Sequence, residues 1–337
     1  MTETYRAIRL DRFAESFRAA TQIVELPFGA PEPGEIAVRN AWCGVNGIFD
    51  TQSARDAVTY IKIGLPSLTG VEACGTVVAV GEGVEAFAVG DAVASVRFTG
   101  GYREANVAPA SHFVAIPKAT RDYLALVSSG VAAKLGLEHV GAVRDGETVI
   151  ISAAAGGLGH LYVQLALLHG CHVIGVAGGP HKTQFLRDLG VHRAIDYKTE
   201  NLADVLADEY RNRLDVAIDT VGGQVFDAML DNLAPHGRLV VSGAAQDMAG
   251  GSGVGLAPRA VEKLYYKGAS VRAFMNGLLA EYWADARQEL FDLYEAGKIR
   301  VTFDSVEFCG LDAVYDAVER LTSGQSMGKV VVDLRAR

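Results

Sequence analysis

Cysteine is scarce in this sequence. Only four cysteines occur among the 337 residues, at positions 43, 74, 171 and 309, and no two of them form a Cys-x-x-Cys pair. Such spacing argues against a disulfide framework of the kind found in small secreted domains. We therefore expect free thiols, buried or half-buried, in a reducing cytosol.

Long apolar runs are also absent. No run approaches the ~18 residues that a membrane-spanning helix needs. Near the N-terminus, Arg6, Arg9, Asp11 and Arg12 interrupt the apolar positions, so the hydrophobic segment of a signal peptide does not form. The sequence therefore predicts a cytoplasmic protein that does not engage a membrane.

Positive charge is in deficit. There are 31 Lys and Arg residues against 40 Asp and Glu residues, which gives a formal net charge of −9. A chain this acidic has no general attraction for nucleic acid or for an anionic membrane. Half of the residues are hydrophobic and 21% are charged, as in a globular protein, and the length suggests two domains.

Two kinds of pattern follow each other along the chain. The first 120 residues contain short β-branched runs, such as 75–80 and 92–96, separated by Gly, Pro and Asp. From 148–153 onward, strand-like runs alternate with helical segments such as 158–169, and this alternation continues as far as Ser242. It predicts an α/β fold in which helices cover both faces of a doubly wound parallel sheet.

A glycine-rich turn joins the first strand of this series to its helix. Its sequence is Ala153-Ala154-Ala155-Gly156-Gly157-Leu158-Gly159. Glycines let a backbone approach a pyrophosphate closely, and the N-terminus of the following helix offers unpaired N–H groups and a partial positive charge. A tight strand-to-helix turn without a ligand is the alternative. Because strand, turn, helix and second strand follow in register, we favour a dinucleotide site.

The end of the second strand bears on the choice between NAD and NADP. An acidic residue there would bind the ribose 2′-hydroxyl of NAD. This chain has Ala177-Gly178-Gly179-Pro180-His181-Lys182 instead, with no acid and with a cation on the next helix. The ammonium of Lys182 suits the 2′-phosphate of NADPH, so the sequence predicts NADPH as the cofactor. The alternative is that Lys182 is simply a solvated residue at the start of a helix.

With these features, the chain resembles the medium-chain dehydrogenase/reductase superfamily over nearly its whole length. Within it, the chain is most similar to the zinc-free quinone oxidoreductases and prostaglandin (enone) reductases. The motifs that carry the resemblance are Cys43-Gly44-Val45-Asn46, Gly70 to Val77, Val80 to Val84 with Val89-Gly90-Asp91, Gly101-Tyr102-Arg103-Glu104, the turn at 153–159, Asp215 to Gly223, Lys267 to Phe274, and Gly328 to Val332.

The resemblance implies a Rossmann domain combined with a β-rich GroES-like catalytic domain. We expect the Rossmann domain at 124–264 and the GroES-like domain at 1–123 and 265–337. It also implies that no catalytic zinc is bound. Asn46 stands where zinc alcohol dehydrogenases have a ligand Cys, and Val71 stands where they have a ligand His. Such a site requires three protein ligands of the N or S type.

The resemblance implies NADPH-dependent reduction of the C=C bond of conjugated enones or enals. Reduction of a carbonyl needs an electrophile at oxygen, which zinc supplies in the alcohol dehydrogenases. A conjugated carbonyl carries its own activation, because hydride addition to Cβ moves charge to the carbonyl oxygen. Quinone reduction is one alternative, and a structural or regulatory NADPH-binding protein is another. By resemblance we also expect a homodimer, and its expected partners are small conjugated carbonyl or quinone substrates.

The candidate site residues come from the turn and from the resemblance. Tyr60 is a candidate proton donor because the family places a tyrosine in this region, although it is equally an ordinary loop residue. Lys134 replaces a family tyrosine, so it either donates to the developing enolate, binds an acidic substrate or points to solvent. The expected cofactor-binding residues are Asn46, Gly130, Ala155, Gly156, Gly157, Leu158, Gly159, Gly179, Lys182, Tyr197, Val221, Ser242, Gly243, Phe274, Met275 and Lys329.

Overall fold

The structure is a computed structural model that describes residues 3–58, 61–97, 100–243, 245 and 260–335. The strands are β1 Thr4–Leu10, β2 Thr21–Pro27, β3 Glu35–Gly44, β4 Ser67–Leu68, β5 Glu72–Val80, β6 Ala92–Val96, β7 Ala105–Pro109, β8 Val114–Ala115, β9 Thr148–Ile151, β10 His172–Ala177, β11 Arg193–Asp196, β12 Leu214–Asp219, β13 Leu233–Val241, β14 Ser270–Ala273, β15 Phe308–Cys309 and β16 Val331–Asp333.

The helices connect these strands. They are α1 Phe17–Ala20, α2 Gly47–Ala54, α3 Arg121–Ala125, α4 Val131–Lys134, α5 Gly159–Leu168, α6 Pro180–Leu189, α7 Leu202–Glu209, α8 Gly223–Asp231, α9 Ala260–Tyr265, α10 Trp283–Glu295 and α11 Val314–Thr322. Two π-helical segments, Leu126–Gly130 and Leu135–Val140, flank α4, and short 3-10 helices occupy Ala110–His112, Asn276–Tyr282 and Leu311–Ala313. Within the described ranges, each helix is too short or too polar to cross a membrane.

Antiparallel sheet forms most of the first compact unit. The strand order of its larger sheet is β15-β16-β3-β5-β6-β8, with β7 also paired to β3, and β1 joins β2 and β4 in a second sheet. Alternate residues of β3, Ile36 and Val38, are buried with Val77, Val93 and Phe113, because successive side chains of a strand point to opposite faces. The antiparallel register of β3 and β5 places Gly44 opposite Glu72.

A six-stranded parallel sheet forms the centre of the second unit. Its strand order is β11-β10-β9-β12-β13-β14, which is the order of a doubly wound dinucleotide-binding fold. Val149, Ile150 and Ile151 of β9 are all fully buried. Three consecutive buried residues indicate that helices cover both faces of the strand. The predicted fold class, a Rossmann sheet with a separate β-rich domain, is confirmed.

The division between the units differs from the one expected from the sequence. The compact units are Met1–Ser128 with Phe303–Arg337, and Ser129–Thr302, whereas the sequence placed the second boundary near residue 265. The segment 265–302 joins the second unit because β14 extends the parallel sheet, with Arg238 opposite Ser270 and Val241 opposite Ala273. β14 has four residues, of which Ser270 and Arg272 are partly buried and Val271 and Ala273 are exposed, so it left no continuous apolar run in the sequence.

The cysteines are free thiols. Cys43, Cys74 and Cys171 are buried, and Cys309 is exposed. Burial raises the pKa of Cys74 to about 12 and also raises the pKa values of Cys43 and Cys171. The three buried thiols are therefore protonated at neutral pH.

Candidate cofactor and active site

The glycine-rich turn lies at the carboxyl edge of the parallel sheet. β9 ends at Ile151 and α5 begins at Gly159. A Cβ atom at position 159 would lie 2.3 Å from the carbonyl oxygen of Ala153, so only glycine fits there. The N-terminus of α5 carries partial positive charge, which favours a pyrophosphate. The N–H groups of His160, Leu161 and Tyr162 donate to the carbonyl oxygens of Gly156 and Leu158 in the turn. The turn contains five predicted residues, Ala155, Gly156, Gly157, Leu158 and Gly159.

A buried carboxylate organises the neighbouring strand end. Asp219 ends β12 with no solvent exposure. Its Oδ1 accepts hydrogen bonds from Ser152 Oγ at 2.9 Å and from the backbone N–H of Val221 at 2.9 Å. Its Oδ2 accepts the N–H of Gly222 at 3.0 Å. Asp219 therefore fixes the turn that carries the predicted residue Val221. In the sequence, the signal that could have revealed Asp219 is an acidic residue at the end of an apolar strand.

The end of β10 meets a second carboxylate that was not predicted. Asp196 ends β11, and its Oδ1 accepts the backbone N–H of Gly179 at 2.8 Å and that of Lys198 at 3.0 Å. Gly179 has a φ of +93° and immediately precedes α6, which starts at Pro180. The sequence between Ala177 and Lys182 has no acid, but tertiary structure brings the acid in from the next strand. Two backbone donors occupy that carboxylate oxygen.

Tyr197 and Lys182 flank this strand end. A Cβ at Gly178 would lie 2.6 Å from the Tyr197 ring, so the ring lies directly on the glycine backbone. Tyr197 is 56% exposed, which leaves it accessible to a ligand. Lys182 lies in the first turn of α6 and is half-buried. An exposed ring and a cation beside a glycine backbone fit the phosphorylated adenosine end of NADPH, with Lys182 as the charged hydrogen-bond donor.

Four other predicted residues come together where β13 and β14 end. β13 ends at Val241, and Ser242 and Gly243 follow it directly. Phe274 follows β14, and its backbone N–H donates to the carbonyl oxygen of Val241 at 3.0 Å. Met275, the next residue, is 42% exposed. Because both strands are parallel, these segments lie side by side at the same sheet edge as the glycine-rich turn.

Ser242 is held by a tyrosine that the sequence did not reveal. Tyr162 of α5 is fully buried, and its Oη lies 2.8 Å from Ser242 Oγ. Burial raises the pKa of Tyr162, so its hydroxyl stays protonated. A Cβ at Gly136 would lie 1.9 Å from Tyr162 Oη. In sequence, Tyr162 is one of several large residues of an apolar helix, and nothing there distinguishes it from ordinary core.

Lys134 ends α4 and does not point to solvent. Its side chain is 10% exposed, and its Nζ lies 2.6 Å from carboxylate oxygens of both Glu138 and Glu289. Burial lowers the pKa of Lys134, but the two hydrogen-bonded carboxylates outweigh it and raise the pKa overall. The ammonium is thus engaged by carboxylates. Gly130 ends the π-helical segment that precedes α4.

In the first unit, the structure brings Asn46 and Lys329 together through Glu72. Asn46 Nδ2 lies 2.8 Å from Glu72 Oε1, and Lys329 Nζ lies 2.5 Å from the same oxygen. The side chains of Glu72 and Lys329 are 1% and 5% exposed. Glu72 was not predicted as a site residue and appeared only within the motif Gly70 to Val77. The reason is that its partner Lys329 lies 257 residues away in sequence.

A second buried acid, Asp50, lies in α2 one helical turn after Asn46. Asp50 Oδ2 accepts a hydrogen bond from Tyr102 Oη at 2.5 Å, and both residues are buried. Burial raises the pKa of Asp50 to about 7, against the opposing effect of the Tyr102 hydroxyl.

The predicted proton donor Tyr60 lies outside the described residues.

Two known protein families match this chain, one in each half. Residues 32–118 match the family described as "Alcohol dehydrogenase GroES-like domain", and residues 157–296 match "Zinc-binding dehydrogenase". Prostaglandin reductase-3 of Mus musculus is 35% identical over 98% of this chain and 90% of its own length. The chain belongs to the medium-chain dehydrogenase/reductase superfamily.

Two further members of the medium-chain dehydrogenase/reductase superfamily illustrate the range of similarity. "Probable quinone oxidoreductase" of Leishmania amazonensis is 32% identical over 98% of both chains. The structure of Escherichia coli quinone oxidoreductase complexed with NADPH aligns with a TM-score of 0.82 at 26% identity, covering 97% of this chain and 99% of the other. The predicted membership of this superfamily is thereby confirmed.

The zinc of some superfamily members does not suit the residues found here. Among the residues that the structure describes, no three His, Cys, Asp or Glu side chains are grouped to hold a metal ion. At the expected ligand positions stand Val71, which has no donor atom, and Asn46, whose amide nitrogen is hydrogen-bonded to Glu72. Neither side chain is a ligand of the N or S type that zinc prefers.

Proposed function

We propose that this protein is an NADPH-dependent oxidoreductase that reduces the C=C bond of small conjugated enones or enals. The observation that carries the proposal is the Asn46–Glu72–Lys329 cluster, which has an amide at the position that, by the resemblance, a zinc ligand occupies in the alcohol dehydrogenases. Full-length similarity to prostaglandin reductase-3 supports the substrate class. The NADPH complex of a structurally similar quinone oxidoreductase supports the cofactor.

The chemistry follows from a substrate that arrives polarised. Bound NADPH supplies a hydride. The residues of the protein have to hold the conjugated system near the cofactor ring and offer hydrogen-bond donors to the carbonyl oxygen that gains charge. A proton must then reach Cα from a side chain or from water.

We assign the cofactor to the carboxyl edge of the parallel sheet in the second unit. The glycine-rich turn at 155–159 takes the pyrophosphate, while Gly179, Lys182 and Tyr197 take the adenosine phosphate end. The assignment of the nicotinamide end rests on the family resemblance and on the side-by-side strand ends of the second unit. In the second unit its residues are Gly130, Val221, Ser242, Gly243, Phe274 and Met275. For Asn46 and Lys329 of the first unit, a role in cofactor binding rests on the resemblance alone.

The proton that reaches Cα has three candidate sources. Tyr60 is retained as a candidate on the resemblance alone. Lys134 is a weaker candidate, because Glu138 and Glu289 already engage its ammonium. A water molecule that reaches Cα would serve the same purpose without a dedicated side chain.

Quinone reduction is the second candidate function. It is favoured by the 32% identity to "Probable quinone oxidoreductase" of Leishmania amazonensis. Product analysis separates the two functions. Purified protein with NADPH should convert a conjugated enone saturably to the saturated ketone, two mass units heavier, and should leave a saturated ketone unchanged. Turnover of a simple quinone without turnover of any enone or enal would overturn the main proposal in favour of the alternative.

A cytoplasmic homodimer is part of the same proposal. Three buried thiols and one exposed free thiol suit a reducing compartment. The edge strand β14 bears Val271, which is 40% exposed, and edge strands offer unpaired backbone groups to a second copy. Analytical ultracentrifugation should give twice the chain mass of 35.7 kDa, and a sedimenting monomer at micromolar concentration would contradict the dimer.

The role assigned to Lys182 can be measured directly. Lys182→Ala should weaken NADPH binding by ~1–3 kcal/mol, because it removes a charged hydrogen-bond donor to phosphate. It should leave NADH binding unchanged. Lys298→Ala, which removes an exposed lysine of the same unit, is the matched control. Equal affinity of the wild type for NADPH and NADH would refute the assignment.

A further inference from the structure

His160 is a buried histidine in the first turn of α5, and both of its ring nitrogens are hydrogen-bonded. α5 begins at Gly159, and His160 has no solvent exposure. Its Nε2 lies 3.1 Å from the backbone nitrogen of Thr302, and its Nδ1 lies 2.8 Å from the carbonyl oxygen of Gly156. The ring therefore connects the glycine-rich turn to the segment 300–302 of the same unit.

These two partners fix the tautomer of the ring. The backbone N–H of Thr302 can only donate, so Nε2 accepts and carries no proton. The carbonyl oxygen of Gly156 can only accept, so Nδ1 carries the ring proton and donates it. His160 is therefore a neutral imidazole that serves as a hydrogen-bond donor to the turn.

A second side chain of α5 keeps the segment 300–302 in place behind the ring. Gln164 Nε2 donates to the carbonyl oxygen of Arg300 at 2.9 Å, and Gln164 Oε1 accepts the N–H of Arg300 at 2.9 Å. Gln164 is buried. Because Arg300 is held on both sides of its backbone, Thr302 stays in position to donate to the imidazole.

The Gly156 carbonyl is engaged twice on the side of the helix. It accepts the backbone N–H of His160 at 3.1 Å and the ring Nδ1–H at 2.8 Å, which uses both of its lone pairs. A trans peptide directs its C=O and its N–H to opposite sides, so the N–H of Gly157 points away from His160. Residues 156–158 are partly exposed, whereas Gly159 and His160 are buried. The Gly157 N–H is therefore directed toward the open side of the turn.

The peptide between Gly156 and Gly157 needs such a restraint. A flip of this peptide changes ψ of the first residue and φ of the second, and glycine tolerates both orientations. The flipped peptide would present a carbonyl oxygen, which repels a phosphate, in place of the N–H that binds it. The flip would also leave the buried Nδ1–H of His160 without its acceptor, which costs free energy.

We propose that His160 is a positioning residue that holds the Gly156–Gly157 peptide with its N–H toward the pyrophosphate of the bound cofactor. The inference rests on the proposed function, since it requires a nicotinamide dinucleotide as the ligand. It concerns the second unit alone, and it gives a role to a histidine that the sequence did not single out.

Two substitutions separate the two hydrogen bonds of the ring. An asparagine amide occupies the place of Nδ1, so His160→Asn keeps a donor to Gly156 and loses the bond to Thr302. A glutamine amide reaches the place of Nε2, so His160→Gln keeps an acceptor for Thr302 and loses the donor to Gly156. Each variant loses one buried hydrogen bond, so the urea midpoints measured by circular dichroism should fall by similar amounts.

The affinities for two ligands, measured by isothermal titration calorimetry, test the positioning role. 2′-Phospho-ADP-ribose contains the pyrophosphate and lacks the nicotinamide, whereas adenosine 2′-phosphate lacks the pyrophosphate. His160→Gln should raise the Kd of 2′-phospho-ADP-ribose by about tenfold, as for one hydrogen bond, and leave the Kd of adenosine 2′-phosphate unchanged. His160→Asn should leave both Kd values as in the wild type.

The outcomes distinguish positioning from general damage. Gln164→Met breaks the contacts with Arg300 and is the matched control, which should lower the urea midpoint and leave both Kd values unchanged. Equal weakening of 2′-phospho-ADP-ribose by the Asn and Gln variants, a loss that extends to adenosine 2′-phosphate, or wild-type affinity in His160→Gln would overturn the inference. If the wild type nevertheless reduces enones with NADPH, the proposed function stands and only the role of His160 falls. A wild type that binds neither NADPH nor 2′-phospho-ADP-ribose would overturn both.

A measurement on the wild type does not depend on the folding of any variant. In protein labelled with ¹⁵N-glycine, the amide resonance of Gly157 should shift when 2′-phospho-ADP-ribose is added, because its N–H then donates to a phosphate oxygen. It should stay unchanged with adenosine 2′-phosphate. A Gly157 resonance that responds to neither ligand, or equally to both, would overturn the inference.

Discussion

The contact between Tyr162 and Gly136 gives a prediction whose size follows from the structure. A Cβ at position 136 would lie 1.9 Å from Tyr162 Oη, 2.9 Å from Cζ and 3.2 Å from Cε1. Gly136→Ala therefore forces the buried tyrosine to shift, and it should destabilise the second unit by ~1–3 kcal/mol, as overpacked cores do. It should also displace the Ser242 hydroxyl, which lies 2.8 Å from Tyr162 Oη.

Tyr162→Phe removes the atom that clashes. Alone, it should cost ~0.5–1.5 kcal/mol for the lost hydrogen bond to Ser242. In that background the nearest ring atom to the introduced methyl group is Cζ at 2.9 Å, so Gly136→Ala should cost less. The double variant should be more stable than the sum of the single effects predicts, by roughly 1 kcal/mol.

Urea unfolding of the four proteins measures this coupling. Trp283 lies in the second unit, so with Trp42 of the first unit replaced by Phe in all four proteins the fluorescence reports on the second unit. Titration with NADPH shows whether Ser242 is displaced. Equal destabilisation by Gly136→Ala in the wild type and in the Tyr162→Phe background would refute the reasoning. Such a result would mean that the helix, and not the tyrosine hydroxyl, resists the added methyl group.

Two other predictions concern buried charges. Since burial raises the pKa of Asp50 from 3.8 to about 7, its ionisation costs more in the folded than in the unfolded chain. Wild-type stability should therefore fall relative to Asp50→Asn as pH rises through that window and level off above it. Urea unfolding across pH checks this, and a constant difference would contradict it. Lys134→Met should lower stability while kcat stays unchanged, because Glu138 and Glu289 engage that ammonium. A large loss of kcat at unchanged stability would instead support Lys134 as the donor to the enolate.

The parallel sheet was predictable because its information is local. β9 is a continuous apolar run, the turn at 153–159 follows it, and α5 and β10 come next in register, so the βαβ unit can be read within some thirty residues. β14 was not predictable on the same basis. It is four residues long, and its place in the sheet depends on pairing with β13.

The residues of the candidate site also divide into those with a local sequence signal and those that depend on distant partners. The residues of the glycine-rich turn were predictable from neighbouring positions in the sequence. The partners of Asn46 and Ser242 were not, because Lys329 reaches Glu72 across 257 residues and Tyr162 reaches Ser242 across 80. Side chains whose chemistry depends on such distant partners leave no periodic or composition signal. For Lys134, the sequence left open an orientation toward solvent. Its two carboxylate partners, Glu138 and Glu289, contradict that alternative.

The arrangement of the thiols has a consequence for a protein proposed to act on enals. Conjugated aldehydes alkylate thiolates, and it is the thiolate that attacks. Cys43, Cys74 and Cys171 are shielded by burial and kept protonated, so they withstand the reagents that the active site handles. Cys309, exposed at the end of β15, is the position where adducts would accumulate, and they would do so on the surface without disturbing either core.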